Sequence, residues 1–167
     1  VVMLDSTGEG FEPGGNPHGF EELSAPCEGM GEAMNVVWRE LEMPPEDHYI
    51  SVICDDVMLT SSDVVKLLAL ARLHQLSAIQ PAVALNHELS REYGFLRQRP
   101  CVSMHRVPFV EMMAPFMRRD LWDLVLPFNR GKGSGYGLDR FALSTCGAHL
   151  NAWRFAVAVC ALMTYIR

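Results

Sequence analysis

Apolar residues along this chain fall into short runs whose spacing alternates between strand-like and helical. Residues 1–4 predict a short first strand. Residues 6–31 are rich in Gly, Pro and Glu and predict a long loop. In residues 31–41, Ala33, Val36, Val37 and Leu41 recur at helical spacing with Trp38 beside them, and Pro44 and Pro45 end that helix. The run at 49–54 (Tyr49, Ile50, Val52, Ile53) is nearly continuous, as expected of a buried parallel strand. It leads into Asp55 and Asp56 and then into a helix start. Thr60 precedes Asp63 by three, a capping-box spacing, and Val64, Leu67, Leu68 and Ala71 share one helical face. A helix is therefore expected from about Ser61 to His74. A second strand follows at 77–83, completing a βαβ unit with a right-handed crossover.

The second half is less regular. Residues 85–100 are polar and arginine-rich and predict a loop or short helix. Residues 101–117 predict two strands, or one bent strand, broken near Pro108 and Pro115. A short helix is expected at 119–126, with Leu121, Trp122 and Val125 packing inward. The loop GKGSGYG at 131–137 leads toward a helix at 138–146, and the apolar run at 153–166 predicts a closing strand. The pattern describes an α/β protein: a single domain over 1–167 with a loop-rich N-terminal segment at 1–28. It opens on Val1 and stops at Arg167 in mid-pattern, as a fragment or an edge-trimmed domain does.

Composition narrows the function classes. At 167 residues and 49% hydrophobic content, the chain is long enough for a substantial core. The formal net charge of −6 and the scattered Lys and Arg argue against nucleic acid as a partner. The local basic group is Arg97, Arg99 and Arg106, with Arg118 and Arg119 further on; such cations face a phosphate or are simply solvated. Five cysteines without a CxxC pair fit buried thiols in a reducing, cytoplasmic setting better than a disulfide frame. No apolar run reaches membrane-spanning length, since the segment 152–166 is short and carries Arg154.

Four acids are candidates for chemistry. A parallel strand delivers its last residues to the edge where α/β sheets bind ligands, and Asp55 and Asp56 are placed there. Two adjacent carboxylates in that position meet a cation, a metal ion or a ligand hydroxyl, or else form an acidic turn capping the next helix. Glu111 lies in VPFVEMMAPF among apolar residues, so its carboxylate is either paired at a site or on the solvent face of an edge strand. Asp139 follows the glycine-rich loop at a helix start, where an acid also serves as a simple cap. That loop lacks Walker or GxGxxG spacing and reads better as a flap. The six histidines show no HExxH or paired spacing, and there is no GxSxG elbow.

The blocks YISVICDDVMLT, SAIQPAV, FVEMMAPFMRRDLWD and GYGLDRFALSTCG, in that order, resemble an uncharacterised glycosyltransferase-like family. Its members share a VEMMAP-type segment followed by a W/Y-G-L-D segment. That family in turn resembles nucleotide-sugar glycosyltransferases of the GT-A fold, and the likeness covers roughly residues 29–167. The resemblance implies a Rossmann-like, mixed but mostly parallel sheet flanked by helices, truncated at its N-terminus. It also implies a sugar transferred from a nucleotide-diphosphate donor to an acceptor hydroxyl. Asp55 and Asp56 would hold the donor diphosphate, with Asp56 on a divalent metal (Mn or Mg). Glu111 would position the sugar or acceptor, and Asp139 would be the general base.

The pattern departs from the family at three points: Cys54 stands where a first acid is common, and Val159 and Tyr165 stand where an aspartate and a histidine are usual. A thiol is a poor ligand for a hard cation. A second expectation is therefore a catalytically inactive GT-A-like binding or assembly module. A third, a metal-dependent hydrolase using the same acids, has no histidine cluster behind it. An exposed final strand would offer an edge for pairing with another chain.

Overall fold

A computed structural model describes residues 2–5, 21–54, 56–84, 94–99, 101–127 and 155–165. The chain divides into two compact units, residues 1–42 with 126–136, and residues 43–125 with 137–167.

In the first unit, β1 (Val2–Asp5) pairs in parallel with β2 (Glu21–Ser24), Val2 opposite Glu21 and Asp5 opposite Ser24. β2 lies inside the stretch expected to be loop. Its sequence, EELS, has a single apolar residue, so the strand is defined by its partner and not by its own pattern. Helix α1 (Met30–Glu40) buries Gly31, Ala33, Met34 and Val36 and ends before Pro44, with Leu41 already extended.

The second unit holds a mixed α/β core. Its strands are β3 (Tyr49–Ser51), β4 (Val57–Met58), β5 (Ala78–Val83), β6 (Met104–Arg106), β7 (Phe116–Arg118) and β8 (Phe155–Tyr165). They lie in the order β3-β7-β5-β8-β4, with β6 also paired to β8. Only β5 and β8 run parallel; the β3–β7, β7–β5, β8–β4 and β8–β6 ladders are antiparallel. The sheet is therefore mixed, as expected, but its ladders are mostly antiparallel and not mostly parallel. The cause is β7, which follows Pro115 and enters the slot between β3 and β5 against the direction of both. β3 and β5 keep the common direction of a βαβ unit but are not neighbours. β8 has partners on both sides, so the final strand is central and not the exposed edge the sequence suggested.

Helix α2 (Ser61–Leu73) covers one face. Its buried Leu67 and Ala71 pack with Leu76, Ile79, Phe116, Ala156 and Ala158. Ile79 is in register with both Phe116 and Ala156, so these side chains share a face and meet the helix together.

Both ends of α2 are capped as its sequence demands. The Thr60 hydroxyl accepts from Asp63 N (3.1 Å) and donates to Asp63 Oδ2 (2.6 Å), while Thr60 N donates to the same carboxylate (3.4 Å). At the other end Leu76 N bonds Ala71 O and Gln75 N bonds Arg72 O, with Gln75 in the left-handed region (φ 50°). This is a Schellman closure in which glutamine takes the position glycine favours. The Thr60 hydroxyl bond holds the Asp63 carboxyl below its ordinary value. Thr60→Ala is expected to cost about 1 kcal/mol at neutral pH. Because the folded-state value is depressed, this contribution is present above the usual aspartate range and fades as pH falls through the lowered one. Thermal melts of both proteins at pH 7 and in the acid range check this: the gap narrows in acid.

Two local features complete the sheet. Pro81 has no N–H for the β5–β8 ladder, and the register breaks there: Pro81 faces Ala158, but Ala82 faces Leu162. Helix α3 (Arg119–Val125) buries Leu121, Trp122 and Val125, as its spacing predicts. It is tied to the sheet by Arg119 N to His48 O (2.8 Å). Tyr49 OH donates to Leu76 O (2.6 Å), and burial pushes its phenol up. Among the described residues, no helix is long and apolar enough to cross a membrane.

Candidate functional site

β3 stops at Ser51, shorter than the expected strand, and the chain continues to a turn that Val57 N closes on Cys54 O (3.0 Å). Asp56 lies in that turn, exposed, just before the short β4. The following helix is capped by Thr60 and Asp63, so Asp56 is not needed for that work. Asp55 lies outside the described residues.

The VEMMAP segment reaches the same corner. Cys54 N donates to Met113 O (3.2 Å), fastening the turn to the chain that enters β7. Because β7 runs against β3 and β5, the residues before Phe116 sit at the carboxyl ends of those two strands. Beneath the corner is a buried cluster of Val57, Ala82, Val83, Leu96 and Ala114, with Cys54, Phe95 and Met113 packed against it. The Cys54 thiol thus contributes to an apolar contact at the position where the resembled family commonly has an acid.

Glu111 is not within a strand, contrary to expectation. It lies in irregular chain between β6 and β7, half-buried. Pro108 and Pro115 bracket it and limit ladder pairing there. Its backbone N–H is held by Gln80 Oε1 from the middle of β5. Gln80 is fully buried, and its Nε2 has no partner among the described residues. The orientation is fixed chemically, since only the carbonyl oxygen of the amide can accept from an N–H. Sequence reasoning passed over Gln80. The available signal was an amide inside the apolar strand AIQPAV, because a buried polar side chain is retained where it holds something. Asp139, with the glycine-rich loop 131–137 and the expected helix at 138–146, lies outside the described residues.

The arginines do not act as one basic group. Arg118 forms a two-pronged ion pair with Asp120 (2.8 and 2.6 Å), and Arg119 pairs with Asp123 (2.7 Å). Burial raises the Asp120 carboxyl, but the Arg118 bonds and charge and the Leu121 N–H outweigh it, leaving Asp120 below its usual value. Arg106 pairs with Ala156 near the start of β8, whereas Arg97 bridges to Val83 at the end of β5. Arg97 is therefore an arginine whose backbone is fixed at the end of β5, beside the cluster that also receives Val57 and Cys54.

Among the described residues, no group of three His, Cys, Asp or Glu side chains could hold a metal ion. At this edge Asp56 is an exposed carboxylate. No family model matches the chain, and no curated protein matches it.

Proposed function

We propose that the chain transfers a sugar from a nucleotide-diphosphate donor to an acceptor hydroxyl at the carboxyl edge of its sheet, in a GT-A-like manner. One observation carries the reading: the Cys54–Met113 backbone bond joins the acidic turn to the VEMMAP segment, two of the blocks on which the resemblance rests.

In this reading Asp56, with Asp55 beside it in sequence, holds a divalent cation and through it the donor diphosphate. The cation supplies charge neutralisation for the departing nucleotide. Asp56 needs no burial for that role, because much of the coordination comes from phosphate and water. Glu111 is positioned by Gln80, so its backbone is already ordered before a sugar or acceptor arrives, which lowers the entropy lost on binding. Asp139 takes the proton from the attacking hydroxyl.

The packing of Cys54 into the apolar cluster favours a second reading, an inactive GT-A-like module that keeps the fold for binding or assembly. Thermal-shift titration with UDP and GDP, with and without Mn²⁺, separates the two. Metal-dependent stabilisation that grows with nucleotide concentration is expected for the transferase, about 2.7 kcal/mol at a hundredfold excess over Kd. No response in any combination would assign the chain to the silent module.

A further inference from the structure

We infer that Arg97 is a diphosphate-binding residue of this site, gripping the phosphate oxygens beside the cluster that the Asp56 turn also adjoins. The inference rests on the proposed nucleotide-sugar reading and extends it to a residue outside the blocks that carry the resemblance.

The backbone around Arg97 is built as a platform. Val83, the last residue of β5, donates its N–H to Leu96 O (2.9 Å) and accepts from Gln98 N (3.1 Å), so both neighbours of Arg97 are bonded to the strand end. Leu96 is fully buried in the cluster that also receives Val57 and Cys54. His105 Nε2 bonds Phe95 O (2.8 Å), and the Phe95 ring lies 4.8 Å from that of Phe109. A segment held at residues 95, 96 and 98 leaves Arg97 exposed between fixed points.

The charges complete the case. Arg97 pairs with no carboxylate among the described residues, although Arg118 and Arg119 each do. Asp56 is likewise exposed and in none of the ion pairs described. One acid and one arginine thus flank the same buried cluster without neutralising each other. A metal–diphosphate carries the complement of both: the cation takes the carboxylate, and the phosphate oxygens take a guanidinium fork in paired, charge-assisted hydrogen bonds. Arg106, near the start of β8, has no such placement.

Calorimetric titration of the whole chain with Mn²⁺ plus UDP, GDP or inorganic pyrophosphate tests this. Arg97→Gln is expected to weaken nucleotide-diphosphate binding by about tenfold or more. Arg97→Lys, keeping the charge but losing the fork, should fall between, and Arg106→Gln should match the unaltered protein. The pyrophosphate arm should follow the same order, because the contact is to phosphate and not to the base. The salt dependence of binding should flatten in Arg97→Gln. Since the side chain is exposed and the backbone makes the strand contacts, the melting temperature should not change; if that variant failed to fold, Arg97→Lys would carry the test. If the unaltered chain binds and Arg97→Gln binds within twofold of it, the inference is overturned and the transferase reading stands. If the unaltered chain binds no nucleotide diphosphate, both fall.

Discussion

Asp56→Asn is expected to abolish the Mn²⁺-dependent part of nucleotide binding while leaving the fold unchanged. The substitution keeps the shape of the side chain and removes its charge, and a hard divalent cation discriminates strongly between a carboxylate and a neutral amide oxygen. A carboxylate–metal contact worth about 3 kcal/mol corresponds to roughly a hundredfold in affinity. Asp56 is exposed in its turn, and the cap of α2 belongs to Thr60 and Asp63, so stability should move by no more than about 0.5 kcal/mol. The measurement is titration of UDP with and without Mn²⁺ against both proteins, with a melting curve beside it. Equal metal-dependent affinity in the two proteins would remove Asp56 from the ligand role. Asp139→Asn gives the contrast expected of a base: donor binding persists and transfer stops.

The second large effect concerns the strand that brings the site together. Phe116 lies in the three-residue β7, in register with Ser51 on one side and Ile79 on the other, and its ring is buried against α2. Truncation to alanine removes a buried aromatic and leaves a cavity at the junction of three strands, a loss of about 3–5 kcal/mol. For a chain of this length, that is a fall of roughly 6–20 °C in melting temperature. Met58→Ala, at an exposed position of β4, should change it little. The effect should reach the site as well, because the residues before Phe116 carry both the Met113 carbonyl bonded to Cys54 and the Glu111 backbone bonded to Gln80. Phe116→Ala should therefore weaken nucleotide binding even at temperatures where it stays folded. A melting temperature within about 2 °C of the unaltered chain would contradict the role given to β7.

What the sequence made legible follows a physical rule. Elements whose evidence is local were readable. The Thr60–Asp63 cap, the inward trio Leu121, Trp122 and Val125, and the apolar runs that became β5 and β8 each carry their signal within a few residues. Elements set by distant partners were not. EELS becomes a strand because VMLD lies beside it, and the three residues of β7 are too few to show a period. The direction of β7 cannot be read from FMR, so the sheet expected to be mixed but mostly parallel is mixed and mostly antiparallel. Glu111 was singled out for its apolar neighbours, but the group that organises it, Gln80, stands in a different block of sequence. The arginines separate for the same reason: Arg97 and Arg106 are near in sequence but pair with different strands, at the end of β5 and near the start of β8.

The central place of β8 sets the order in which this molecule can assemble. A ribosome releases β3, β5 and β7 long before Phe155–Tyr165 emerges, and until then β5 has no partner on one flank and β4 has none from the main sheet. The nascent unit must wait with open backbone donors and acceptors, the condition in which β-rich chains stray into wrong pairings. Maturation of this unit is thus tied to the emergence of Phe155–Tyr165, and its refolding should be slow, as befits ladders between residues remote along the polypeptide.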